Sequence, residues 1–145
     1  MFLLSCLPRT VFKKGNIEID YYEKYHCLHL SWSGQIDKEE YKNLMLQMLD
    51  FTKKLKVQFW IFDAREEDNF KFFDPEWSTH FLTRELSKHP IKKIARIASG
   101  NSNNETQLSS FMSRILKEQN PPFCFKYLPD ANHAIAWFLD KEHEL

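Results

Sequence analysis

The feature that most constrains this chain is the run "VQFWIFDA", residues 57 to 64, which is apolar on both faces with almost no alternation. A strand of that kind stays dry only when both faces of its sheet are covered, and this is the habit of parallel strands in α/β proteins. The flanking segments agree. "DKEEYKNLMLQMLDFTKKL" before it carries Tyr41, Leu44, Met45, Met48 and Leu49 at helical spacing. Asp37 is placed to cap that helix with Glu40 three residues on, and Lys53, Lys54 and Lys56 suit its carboxyl end. After the run, Asp74-Pro75 pairs a capping residue with proline at the first helical position, and opens a helix over 75–89.

The rest of the chain extends the alternation. "NIEIDYY" and "HCLHLSW" each alternate apolar with polar residues and are joined by "EKY", the pattern of an antiparallel hairpin. "IKKIARIASG" and "PPFCFKYLP" are expected strands, and "NETQLSSFMSRILKEQ" and "DANHAIAWFLDK" expected helices, the last capped by Asp130. The expected architecture is one α/β domain over residues 1–145. It has a mixed, mostly parallel five-stranded sheet, an antiparallel amino-terminal hairpin and about four helices, with 1–16 as an irregular lead-in.

Composition narrows the chemistry. The chain has 145 residues, 20 basic and 20 acidic, so zero net charge gives no sign of nucleic acid as partner and no electrostatic obstacle to a homodimer. With three glycines, at 15, 34 and 100, no dinucleotide or P-loop fingerprint exists. Cys6, Cys27 and Cys124 form no pairing framework and read as reduced thiols in a cytoplasmic protein. "MFLLSCLPR" lacks the basic and long apolar regions of a signal peptide, and no later stretch is long and apolar enough to span a bilayer. Glu76 and His80 share a helix face, but two ligands do not make a metal site, so neither metal nor cofactor is expected.

The segment leaving the apolar run, "DAREEDNFKFFDPEWS", is where an open α/β sheet carries its function. Three readings of it stand. The carboxylates Asp63, Glu66 and Asp74 would serve acid-base catalysis if they converged in a cleft. The aromatics Phe70, Phe72, Phe73 and Trp77 either pack the loop onto the domain or form an apolar patch for a partner. A small apolar-ligand carrier would need an internal cavity, lined by residues such as Phe59, Trp77, Phe81 and Phe111.

The stretches "CLHLSWSGQIDKEEYKNLMLQML", "VQFWIFDAREED", "DPEWSTHFLTREL", "IKKIARIAS" and "FKYLPDANHAIAWFLD" together resemble the bacterial SpoIIAA-like family. These are small domains with the STAS fold (sulfate transporter and anti-sigma-factor antagonist), similar also to CRAL-TRIO lipid-binding domains. The resemblance runs from about Ile17 onward. It implies a non-enzymatic regulatory domain that works by protein–protein interaction, with a small apolar ligand as the alternative. In STAS regulators, the helix following the strand equivalent to Val57–Asp63 opens on an Asp-Ser signature whose serine is phosphorylated. Here it opens "DPEWS", so Pro75 and Glu76 stand where the acceptor would be and Ser78 lies farther along the first turn. The interaction surface so implied is the 64–78 loop and the following helix. Its expected contact residues are Asp63, Arg65, Asp74, Trp77 and Ser78, with Phe72 and Phe73 as apolar anchors.

Overall fold

The computed structural model describes residues 7–68 and 73–140. Six strands form one sheet in sequence order: β1 Arg9–Lys14, β2 Ile17–Tyr22, β3 Cys27–Gly34, β4 Phe59–Glu67, β5 Lys93–Ile97 and β6 Cys124–Tyr127. β1–β2 and β2–β3 pair antiparallel, and β3–β4, β4–β5 and β5–β6 pair parallel. The mixed α/β architecture is the expected one. The strand count is six and not five, because β1 occupies the segment expected to be irregular. Lys14 pairs with Ile17 across a two-residue turn, and Gly15 takes the positive φ of 58° that such a turn demands at its first position. The Gly-Asn pair between β-prone runs was the available signal.

Four helices follow the strands. α1 is Lys38–Leu55, α2 is Pro75–His80, α3 is Ser102–Gln119 and α4 is Ala131–Leu139. The aspartates expected as caps perform that role. Asp37 accepts from the Glu40 amide at 2.8 Å, Asp74 from Trp77 at 3.1 Å and Asp130 from His133 at 2.8 Å. α2 does not run on as a regular helix to residue 89. A π turn, Phe81–Glu85, and a 3-10 turn, Leu86–Lys88, complete it. The wider turn brings Phe81 and Leu86, five residues apart, into the same buried face.

The two faces of the sheet are covered unequally. α1, α2 and α3 cover one face, over a core that includes Leu28, Leu30, Trp60, Ile94 and Phe111. α4 covers the other, over Cys27, Phe59, Ile61, Ala95 and Ile97. The run 57–64 is therefore dry on both sides, as its composition requires. Trp60 meets its one polar need inside the core, where its indole N–H donates to Thr52 Oγ1 at 2.9 Å.

Lys93, 1% exposed, faces α4. Its ammonium donates to the carbonyls of Trp137 and Asp140, both at 2.8 Å. The Trp137 carbonyl also accepts from the Asp140 amide at 3.2 Å, and a lysine from the sheet completes the carboxyl cap of α4. Replacing it by methionine keeps most of the volume and removes the donors. We expect Lys93→Met to lose about 2–3 kcal/mol in urea unfolding, with faster amide exchange confined first to α4. An unchanged midpoint would show that the cap is dispensable.

Candidate functional site

β4 sets the geometry of the site through one extra residue. Ser31 pairs with Asp63, but Ser33 pairs with Glu66 and Gly34 with Glu67, so β4 carries a bulge between Asp63 and Glu66. A single inserted residue reverses side-chain parity along a strand. Asp63 thus faces the α4 side with Ile61 and Phe59, whereas Glu67 turns to the α1–α3 side. The strand also extends to Glu67, so Ala64 to Glu67 belong to the sheet and not to the expected loop.

On the α4 side, Asp63 is 7% exposed and fully engaged. Arg65 donates to it twice, Nε to Oδ1 at 2.9 Å and Nη2 to Oδ2 at 2.7 Å. His29 Nε2 lies 3.0 Å from Oδ2, and its ring stacks on Tyr22. Burial would raise the Asp63 carboxyl, but the hydrogen bonds with His29 and Arg65 outweigh it and hold the group well below the usual carboxylate range. Arg65 keeps an exposed guanidinium at this edge, with 53% of its side chain in solvent.

On the other side, Asp74 caps α2 and pairs with Lys42 of α1 at 3.2 Å. Asp63 and Asp74 therefore lie on opposite sides of the sheet, and Glu66 is exposed between them. Asp63, Glu66 and Asp74, whose convergence acid-base catalysis would require, do not share a cleft. Trp77 is half-buried and held on three sides. It meets Phe81 in a stack at 5.1 Å, Tyr41 edge-on at 6.2 Å and the Lys42 ammonium at 5.7 Å. Phe73 meets Phe111 edge-on at 5.1 Å. Ser78, 8% exposed, faces inward. Phe70 and Phe72 lie outside the described residues.

Phe73, Trp77 and Ser78 line a cavity of about 60 Å³ between α1, α2, α3 and the sheet. Phe81 and Phe111, expected in such a cavity, line it too. Phe59, the fourth residue expected there, does not: it lies across the sheet, stacked on Phe138 at 4.7 Å. The wall is almost wholly apolar and aromatic, and at one end it meets the buried guanidinium of Arg96.

Arg96 anchors a polar network that sequence reasoning missed. Its Nε and Nη2 each lie 2.9 Å from the Glu105 carboxylate, and Nη2 lies 3.3 Å from Glu67 Oε1. Asn104 Nδ2 donates to the same Glu67 oxygen at 3.2 Å, and Ser99 Oγ to Glu105 at 2.6 Å. Burial pushes the Glu67 carboxyl up in spite of Arg96. Glu105 is held down, because the bonds from Arg96 and Ser99 outweigh its burial. The available signal was a charged residue at an inward position of a strand that also carries Ile94, Ala95 and Ile97, and such a residue needs a buried partner.

The Asp63 cluster has a defined pH signature. A carboxyl whose value is depressed by folding adds stability above its ordinary value of 3.8, and that stability is lost as pH falls toward the depressed value. At neutral pH, Asp63→Asn should lose about 2 kcal/mol in urea unfolding. The gap from the native protein should narrow as pH is lowered through the region below 3.8. A gap that stays constant with pH would show that charge at residue 63 is not what stabilises the cluster.

No family model matches the chain, and no curated protein matches it. Among solved structures it is similar to an uncharacterized protein of the DUF3478 family with a SpoIIAA-like fold, from Shewanella loihica PV-4. The likeness covers 94% of this chain and 98% of that one, with a TM-score of 0.51 and 16% sequence identity. At that identity the likeness is one of fold. No helix among the described residues is long and apolar enough to cross a membrane. The chain has a SpoIIAA-like fold.

Proposed function

We propose that this protein is a non-enzymatic interaction domain of the bacterial cytoplasm, which takes an apolar side chain of a protein partner into the cavity between α1, α2 and α3. The observation that carries the reading is the cavity itself. At about 60 Å³ it matches part of a side chain, well short of the hundreds of Å³ usual for small-molecule sites. Its rim is made of half-buried aromatics, Tyr41, Phe73 and Trp77, held by their neighbours before any partner arrives. Rigid aromatic rims around a pocket are where interface energy concentrates. The separated carboxylates support the non-enzymatic reading, and the free thiol of buried Cys27 fits a reducing compartment. Arg65, exposed beside the locked Asp63, lies on the other side of the sheet from the cavity, and Asp74 would act by fixing Trp77. Ser78 sits within the cavity wall, so a phosphate on it would have to displace that wall.

The apolar lining favours a second reading, a small apolar ligand held in the same place. Native mass spectrometry of the protein from its own host, joined to cross-linked pull-down, separates the two. The interaction reading expects a bare chain by mass and a cross-linked partner whose capture falls at least about tenfold in Trp77→Ala. A co-purifying small molecule lost in Trp77→Ala would establish the ligand reading instead. Partner capture indifferent to Trp77 would remove the cavity from the interface.

A further inference from the structure

The opposite end of the sheet carries a second surface, independent of the cavity. Lys53, Lys56, Lys88 and His89 surround a shallow groove with Gln58 in its floor. The groove lies where the strands begin. The Gln58 amide donates to the His26 carbonyl, and the Lys92 amide to the Gln58 carbonyl, both at 2.9 Å. His26, Gln58 and Lys92 therefore stand side by side on neighbouring lead-ins. The side chains of His26, Lys53, Lys56, Lys88 and Lys92 are all exposed. Lys88 has a loose ion pair with Glu85 at 3.8 Å, and among the described residues Lys53, Lys56 and Lys92 have none.

Helix dipoles account for part of this charge, since Lys53 and Lys54 lie in the last turn of α1. Lys56 is the carboxyl cap of α1 and shares that explanation, whereas Lys92, which stands just before β5, does not. His26 and Lys56 adopt left-handed backbone, at φ 54° and 55°. Glycine holds such positions without strain, and asparagine, found at the third such site, Asn120, tolerates them. Histidine is among the residues that tolerate this backbone, but at Lys56, which lines the groove, a lysine occupies a place where glycine would fold more easily. The helix dipole is one reason for a cation there, and a surface that needs cations is a second.

The chemistry of the groove selects its occupant. The nearby amides of Val57, Gln58, Phe59 and Lys92 are all spent on backbone carbonyls, so none is left to cradle a phosphate. The carboxyl end of α1 faces it, which disfavours dense negative charge close to the backbone. Of the exposed large apolar side chains among the described residues, Leu7, Leu46 and Leu139, none lines the groove, so the groove itself offers no anchor for a bilayer. Separate carboxylates, each met by a lysine reaching out from the surface, fit this arrangement. We propose that the groove docks an acidic polypeptide segment of a partner protein.

The test is fluorescence anisotropy of a labelled deca-glutamate peptide titrated with the full chain. Saturable binding is expected, weakening at least about tenfold between about 50 mM and about 200 mM salt. Lys56→Gly is the informative variant. It should unfold at the same or a higher denaturant concentration, because the left-handed strain is relieved, yet bind the peptide at least about threefold more weakly. Lys53→Gln with Lys92→Gln should weaken it about tenfold. The proposal is overturned by a peptide that does not saturate, by affinity unchanged in these variants, or by tighter binding of inorganic triphosphate or phosphatidylserine vesicles. Self-association in sedimentation equilibrium that disappears in Lys56→Gly would also overturn it, and would assign the groove to a second copy of the chain.

Discussion

The guanidinium of Arg96 is the constraint on which the carboxyl end of this sheet depends. An ion removed from water in the interior must recover several kcal/mol from its partners, and only close, multiple hydrogen bonds do so. Arg96 has two carboxylates from different elements, Glu67 of β4 and Glu105 of α3. Neither would reach it without a local departure from regularity. Glu67 faces Arg96 only because the bulge in β4 reverses the strand's parity after Asp63. Glu105 reaches it because Asn101 starts α3 immediately beyond β5, capping through the amides of Asn103 and Asn104. Arg96 also lines the apolar cavity, so the network that holds the guanidinium fixes one part of the cavity wall.

Lys93 and Arg96 show how one short strand serves two layers. They are three residues apart in β5 and so project to opposite faces. Lys93 ends α4 by collecting its last carbonyls, while Arg96 fixes the beginning of α3 through Glu105. A purely apolar β5 would bury as much surface, but it would take from those carbonyls and carboxylates their charged donors. The two cations therefore specify which end of which helix lies against the strand. Hydrophobic burial, which has no direction, cannot do this.

Much of this architecture was legible in the sequence because it rests on local rules. The apolar run at 57–64 required a central strand, and Asp37, Asp74 and Asp130 each marked a helix start that the structure keeps. What escaped is what arises between elements. β1 was passed over although Gly15-Asn16 is a turn, since a single edge strand with lysines at its end has weak periodicity. The bulge in β4 has no signature in "DAREE" and appears only when β3 supplies a register. Trp77 and Phe73 line the cavity, but whether they project outward or inward depends on α1 and α3, which no local pattern encodes. The π turn in α2 is of the same kind, since it gains its advantage from the burial of Phe81 and Leu86 together.

The neutral net charge also conceals an ordering that the topology imposes. Each of the four helices follows a strand and starts at the carboxyl end of the parallel sheet, so the caps Asp37, Asp74, Asn101 and Asp130 gather at that end. The helix carboxyl ends, with the lysines that suit them, gather at the other. A protein with equal numbers of acids and bases thus becomes acidic at one end and basic at the other, with no selection for polarity beyond good capping. That background is the standard against which any charged surface here has to be judged. Charge at the caps follows from folding alone. Charge away from the caps, as at Lys92, does not, and it is there that a role in recognition has the firmest physical basis.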